Sequence, residues 1–525
     1  MSISLILCPF IAVIVSAALY TVALPDLGWW PAAFVAWTPL LVVLPNLRKR
    51  SAFFAGWALG TLSHLGIFPW ISHTAQTMSN FSPAAGAVIL VLFALLHGLA
   101  WGVTVLGIRT LSEGKQGIGY VVTTAAIVSA VEFVNPQLFP WHLGNVFWRV
   151  PILMQGVEIT GIAGATFVAV AFGAALAAIL KRGAGAVRGA VFAVAILVVW
   201  VAYGVVRFGQ VEKEVSQAPT ARLALVQPDV TAADRLEKGF EAKVHVIEKE
   251  IATTRSGDLE EVEAIIWPEG AFPTTFPTNL QGQAIVSQRV AMTLLRHIRG
   301  ALRTFDKPLI LGSVTKPDAE TVHNSAIMIS PKGSIERQYH KRRLLAFGEY
   351  MPFSDLFPGL KGLVPRVTDM TPGSHAEVFE LGPAKAMMSI CYEAIHPEFT
   401  RQAALSGGGN MILNLTNDGW FGDYGAPGQH LMVQAPRAVE LRTSLVRVTQ
   451  TGITAVISPS GKIIVETGIH EKRTVTVDVP LKEPKSFYLS FGPVFAWLCV
   501  LLALSMVISR ISTLVKRRRG LEPSV

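Results

Sequence analysis

The sequence predicts a multi-span α-helical membrane domain joined to an α/β outer domain. Three observations predict it. Of 525 residues, 51% are hydrophobic and 15% charged, and the mean hydropathy is +0.46, too apolar for an ordinary soluble domain. Apolar stretches able to cross about 30 Å of hydrocarbon as helices gather at the two ends of the chain. Between them, in residues 209–487, short β-branched runs alternate with stretches of helical period.

The expected spans are 3–24, 28–46, 52–71, 86–108, 117–135, 158–180, 188–208 and 488–509. This divides the chain into a membrane domain of seven helices (1–208), an outer domain (209–487), and an eighth helix with a basic tail (488–525). The opening "MSISLILCPF" lacks the charged start of a secretory signal and no small-residue cleavage site follows, so a retained helix is expected. Cys8 and Cys499 fall inside spans, where a thiol acts as a small apolar side chain.

Basic residues orient these spans. Arg48, Lys49 and Arg50 follow the second; Arg109 and Lys115 the fourth; Lys181, Arg182 and Arg188 the sixth; Lys516, Arg517, Arg518 and Arg519 lie in the tail. Among the short connections on the other side Arg149 is the exception. Positive loops face the cytoplasm, so both termini are expected there and the long polar block outside, in the periplasm of a bacterium. The net charge of +9 then reflects topology and contact with anionic lipid, with no nucleic-acid signature beside it.

In the outer block, 221–227, 263–269, 308–314, 324–330, 334–339, 385–391, 410–417 and 454–459 read as strands, and 233–254, 284–305 and 429–443 as helices. Polar groups stand at strand ends, where sites in α/β sheets assemble. Glu269 follows "AIIW" in "WPEGAFP", Lys341 lies in "YHKRRLLAFGEYMPF", and Cys391 ends "AMMSI". A lone thiol outside the membrane has no internal disulfide partner, which leaves packing, metal binding or reactivity. A thiolate needs a base or a cation beside it; Glu269 suits the first role and Lys341 the second, as an acyl-transfer site requires. Position alone also allows an inert buried thiol, a turn carboxylate and a solvated basic run. No HxxxH or CxxC pair offers metal-ligand spacing, and neither a metal nor another cofactor is expected. A Cys-His pair with His340, His396 or His430 stays open.

"WPEGAFP", "YHKRRLLAFGEYMPF" and "SICYEAIHPE" resemble the Glu, Lys and Cys motifs of the carbon–nitrogen hydrolase (nitrilase) superfamily. With "NLTNDGWFG" downstream and the frame of spans, the chain is similar to that superfamily's membrane-embedded acyltransferases along nearly its whole length. The resemblance implies a nitrilase-like αββα sandwich for the outer domain. It implies Glu269 as general base, Lys341 as stabiliser of oxyanion and thiolate, and Cys391 as nucleophile. Glu349, Tyr392 and Glu393 match supporting positions; Asn324, Trp420 and Phe421 sit in matching motifs. One departure is Gln450 in "RVTQTGITAV", where the family more often has Asn.

The implied reaction is a ping-pong acyl transfer at a bacterial inner membrane. The donor is a membrane phospholipid, expected to be phosphatidylethanolamine. The acceptor is the α-amine of the N-terminal diacylglyceryl-cysteine of an apolipoprotein. A membrane-tethered amidase acting on a small C–N substrate is the alternative, and a transporter with an accessory outer domain is the rival from another class. His64, His97 and Glu132, in or beside apolar spans, face either a functional path or helix-helix hydrogen bonds, and Arg149 is a candidate partner for a lipid phosphate.

Overall fold

The computed structural model describes residues 8–25, 27–79, 81–237, 239–277, 285–363 and 369–518. Residues 3–7 of the first expected span, the start of the expected helix 284–305, and Arg519 of the tail lie outside them. The chain divides into two compact units: Met1–Pro69, Ala87–Phe208 and Ser490–Val525 form one, Trp70–Gly86 and Gly209–Leu489 the other. Segment 70–86 thus belongs with the sheet-containing unit although it precedes residue 208.

Among the described residues, five helices are long and apolar enough to cross a membrane: Pro83–Leu111, Gly117–Val134, Ile162–Leu180, Ala186–Ser216 and Val494–Lys516. The pair Lys49–Ile67 and Trp70–Ser79 makes a sixth if counted as one span. Pro9–Val22 is shorter. The expected span 28–46 is not one continuous α-helix. It is cut into a 3-10 turn Trp30–Phe34, a helix Thr38–Val43 and a 3-10 turn Leu44–Asn46, each with a proline in its first two residues. Proline lacks the amide hydrogen and its ring collides with the preceding turn, so Pro31, Pro39 and Pro45 restart the helix where hydropathy alone sees continuity.

Glu132 in this unit is held by its neighbours. It accepts hydrogen bonds from Thr166 Oγ1 (2.9 Å), Tyr20 Oη (3.3 Å) and the Leu143 amide (3.3 Å). His64 and His97 each place Nδ1 on a carbonyl one turn back, at 2.7 and 3.0 Å, and Arg149 lies over the Trp148 ring at 4.2 Å.

The second unit contains thirteen described strands: β1 Thr220–Gln227, β2 Ala264–Ile266, β3 Thr275–Phe276, β4 Leu309–Thr315, β5 His323–Ile329, β6 Ile335–His340, β7 Val378–Leu381, β8 Ala384–Ile390, β9 Met411–Thr416, β10 Ser444–Thr449, β11 Ala455–Ile457, β12 Ile463–Glu466 and β13 Arg473–Pro480. One sheet runs β13-β1-β2-β4-β5-β6 with β3 paired to β4, the other β12-β11-β10-β9-β8-β7. The sheets face each other where β1 and β13 meet β10, and β5 meets β8. Helices Phe240–Arg255 and Ile285–Phe305 cover the first sheet through Ile247, Leu294, Ile298 and Leu302 against Val226, Ile265, Trp267 and Leu311. Pro397–Gly407 and Pro436–Leu441 pack on the second sheet. The result is an αββα sandwich.

Each sheet contains a parallel set, β1, β2, β4 and the short β3 in one and β8, β9 and β10 in the other. Their carboxyl ends therefore share an edge within each sheet, where functional side chains collect.

Two expected helices are broken. The first divides into Ala232–Leu236 and Phe240–Arg255 around Gly239 at φ +115°. The other becomes Ala426–Gln434 and Pro436–Leu441, ending at Arg442 with φ +57°. Beyond it β10, absent from the sequence reading, carries the fully buried Arg447.

Candidate active site

The residues singled out from sequence come together at one edge of this unit. Glu269 leaves β2 through Trp267 and Pro268, and Gly270 turns the chain at φ +68°. The turn presses on β4: a Cβ at Gly312 would lie 2.5 Å from the Cα of Glu269, so only glycine fits there. On the other side, the Gln450 amide donates to the Glu269 carbonyl at 3.2 Å. The residue that departs from the family thus supports the backbone of the carboxylate.

Cys391 follows β8 at φ +51°, a region that costs a non-glycine residue about 1–3 kcal/mol and persists only where the surroundings enforce it. Here the Cys391 carbonyl accepts from Asn414 Nδ2 (3.3 Å) and Gln434 Nε2 (3.2 Å). Glu393, two residues on, is fully buried. Its carboxylate accepts from the amides of Ile390 (2.7 Å), Arg342 (2.6 Å) and Arg343 (3.0 Å) and from the Tyr339 hydroxyl (2.7 Å). One carboxylate therefore joins the end of β8 to the chain leaving β6, fixing Cys391 and Lys341 in one frame.

Lys341 is 1% exposed. Its Nζ lies 2.8 Å from Glu349 Oε1 and 3.8 Å from Glu269 Oε1. Asn324 in β5 bridges the two carboxylates, its amide reaching Glu269 at 2.7 Å and Glu349 at 2.8 Å. The second oxygen of Glu349 takes the Leu345 amide at 2.8 Å.

The charges fit acid-base work. Burial pushes the Cys391 thiol well above its ordinary range, Glu269 adds to the push, and Lys341 opposes it. Burial also raises Glu269; Lys341 offsets this, Glu349 reinforces it, and the Cys391 thiol is a hydrogen-bonding neighbour. Burial opposes the charge on Lys341, but Glu349 and Glu269 hold it above the usual lysine range. The thiol is thus neutral at rest beside a carboxylate able to take its proton, with an ammonium to stabilise the anion formed.

The histidines engage other groups. His430 places Nδ1 on Asp418 and Nε2 on Gln434, both at 2.8 Å, and His340 bonds Ser325 while stacking on His323. His396 packs edge-on against Tyr392. The charged side chains with the largest effect on the thiol are Glu269, Lys341, Asp418 and Glu349.

Sequence reasoning missed two features. Asp418 and Arg447 form a fully buried ion pair, and Arg447 Nη1 also donates to Gln434 Oε1 at 2.8 Å, one link from the Cys391 carbonyl. An arginine inside the apolar run "SLVRV" was the available signal. The other is Trp70, whose indole donates to Gln429 at 3.1 Å and meets Phe421 edge-on at 5.3 Å. Phe421 is buried between Trp70 and His430, while Trp420 is half-buried.

A profile of the carbon-nitrogen hydrolase family matches residues 222–487, and one of the apolipoprotein N-acyltransferase N-terminal domain matches residues 16–175. The chain is similar to the apolipoprotein N-acyltransferase of Geobacter metallireducens, 29% identical over 504 residues that cover 94% of this chain and 93% of that protein. The protein of the same name from Bdellovibrio bacteriovorus is 28% identical over 527 residues, covering 94% and 92%. Among solved structures, an amidase from Nesterenkonia sp. aligns at 19% identity and a TM-score of 0.37 over 52% of this chain and 94% of its own.

Proposed function

The chain belongs to the carbon-nitrogen hydrolase family, and from that premise we propose that it is a multi-pass membrane N-acyltransferase of lipoproteins. The match of residues 16–175 to the amino-terminal domain of apolipoprotein N-acyltransferases, and the likeness to those enzymes over nearly the full chain, support this reading over a tethered amidase. The observation that carries the chemistry is the buried Lys341 ammonium between Glu349 and Glu269, with the Cys391 thiol beside Glu269.

In the proposed first half-reaction, Glu269 takes the thiol proton as Cys391 Sγ attacks an ester carbonyl of a membrane phospholipid, for which phosphatidylethanolamine is the expected donor. The tetrahedral oxyanion is stabilised by Lys341. Collapse breaks the ester C–O bond, the leaving lysophospholipid oxygen takes the proton from Glu269, and the acyl group stays on Cys391 as a thioester. In the second, the α-amine of the diacylglyceryl-cysteine attacks that carbonyl, Glu269 accepts an amine proton, and the thiolate leaves and is reprotonated. Glu349 and Asn324 hold Lys341 and Glu269 in place, and Glu393 fixes the frame. Burial keeps water from the thioester until the amine arrives.

The basic loops support a cytoplasmic-membrane topology with both termini inside and the catalytic unit in the periplasm. Acyl transfer from phospholipid to a diacylglyceryl-cysteine peptide, assayed with wild type and Cys391→Ala in parallel, tests the reading. Normal transfer by the variant would sink it.

A further inference from the structure

A cavity of about 340 Å³ opens in the helical unit between the end of helix Pro83–Leu111, the start of Gly117–Val134 and the end of Ile162–Leu180. That volume lies in the ordinary range of small-molecule sites, roughly 300–1,000 Å³. Its charged lining is Arg109, Lys115 and Lys181 against Glu113 alone, three positive charges less one negative, leaving two in excess. Glu113 is itself shared, by Arg109 at 3.6 Å and by Arg510.

The two lysines have no carboxylate partner among the described residues. Lys115 Nζ donates to Thr123 Oγ1 at 2.8 Å and touches Met506 Sδ at 3.1 Å. Lys181 Nζ reaches the Leu41 carbonyl at 3.3 Å and lies over the Tyr120 ring at 4.7 Å. Half-buried ammonium groups without a counter-charge are a costly arrangement unless an anion completes it.

The backbone adds to the field. Helix Gly117–Val134 starts at this cavity without a side-chain cap, and helix Ala186–Ser216 starts beside it. A Cβ on Gly117 would stand 3.0 Å from the Gly185 carbonyl, so the glycine pair brings two helix N-termini, both favourable to negative charge, to one place. Exposed apolar side chains, Ile118 and Val187, occupy the first turns of these helices, as suits a ligand whose remainder is hydrocarbon.

We propose that this cavity binds the phosphate of an anionic phospholipid of the phosphatidylglycerol class at the basic-loop surface of the membrane. The inference is independent of the acyl-transfer reading and concerns a site in the other unit.

The test titrates the full-length protein in uncharged detergent micelles with dioleoyl phosphatidylglycerol, dioleoyl phosphatidylcholine or inorganic phosphate. Native mass spectrometry and the melting temperature report binding. Phosphatidylglycerol is expected to saturate and to outbind phosphatidylcholine. K115Q/K181Q should weaken it by about 25-fold, each surface cation being worth about fivefold. R182Q/R188Q, which removes the same charge from residues outside the cavity lining, should leave it nearly unchanged. E113Q, which removes the acid from the lining, should tighten binding by about fivefold and gives a reading even if the double lysine variant fails to insert. Equal weakening by both double variants would mean diffuse surface attraction and overturn the site. Equal affinity for inorganic phosphate would overturn the lipid assignment, and a phosphatidylcholine affinity matching that of phosphatidylglycerol would overturn the anionic one.

Discussion

The Lys341 ammonium sits 2.8 Å from the carboxylate of Glu349, nearer than the 3.8 Å that separates it from Glu269. Glu349 therefore decides where the cation stands, although it is not the proposed base. Glu349→Gln removes that anchor, and displacing a catalytic group by on the order of 1 Å costs roughly 10²-fold in rate. Acyl transfer is expected to fall by about that factor without loss of fold. An unchanged rate in the variant would show that Lys341 is placed by something else.

The same variant carries a pH signature. Burial, with the Glu349 charge adding to it, holds Glu269 above the ordinary glutamate value of 4.5. A base must be ionised, so kcat/KM is lost as pH falls through this raised value, and the acid limb should lie above pH 4.5. Removing the neighbouring negative charge favours ionisation, and with Glu349 gone Glu269 is the carboxylate left to pair with Lys341, so Glu349→Gln should move the limb down. A limb that moves up, measured with a diacylglyceryl peptide acceptor, contradicts the assignment of Glu269.

Glu393 should reveal itself first in stability. Its two oxygens receive three amides and the Tyr339 hydroxyl, and Glu393→Gln turns an NH2 group toward those donors. Each buried donor left unpaired costs about 1–3 kcal/mol. A clear drop in melting temperature is expected together with lower activity. Lost activity at wild-type stability would instead place Glu393 in the chemistry.

Arg447→Met leaves Asp418 buried without its cation, a change that costs about 3–5 kcal/mol. Burial works against the Asp418 charge, but Arg447 and His430 hold its pKa below the ordinary aspartate value of 3.8. The sign follows: this stabilisation is present above the unfolded pKa and is lost as pH falls through the lower folded one. The wild-type advantage over the variant in denaturant unfolding should therefore shrink in strong acid. An advantage independent of pH would remove Asp418 from the account.

The segment after Glu349 exposes Phe353, Leu356 and Phe357 at 70%, 73% and 63%. Apolar side chains this exposed beside the proposed acyl-transfer site suit contact with the bilayer. Replacing all three by Ser should slow transfer from phospholipid in vesicles while sparing a soluble thiol-reactive ester. Equal slowing of both would assign the segment to folding of the site.

Much of this was legible in the sequence, for identifiable reasons. Glu269 and Cys391 stand at the ends of short apolar runs and Lys341 just after the expected strand 334–339, and strand ends in α/β sheets converge. Arg447 was legible only as an arginine in an apolar run: a charge in the middle of β10 spoils the hydropathy pattern, and Asp418, which neutralises it, is reached only through the pairing of β10 with β9. Glu393 is two residues from Cys391 in sequence, but its oxygens are taken up by three backbone amides and the Tyr339 hydroxyl. The interruption of span 28–46 was written in Pro31, Pro39 and Pro45, which a hydropathy window averages away. Trp70 carried no signal, since its contact with Phe421 joins residues 351 positions apart, a relation only the folded chain supplies.

Cys391 is the residue proposed to carry the acyl group, and intact-protein mass spectrometry can detect the thioester itself. Wild-type protein incubated with phospholipid and no acceptor should gain the mass of one acyl chain, localised by digestion to Cys391, and lose it when a diacylglyceryl-cysteine peptide is added. Cys391→Ala should show neither change. An acceptor-sensitive adduct on any other residue, or full transfer to the peptide by Cys391→Ala, would contradict the account.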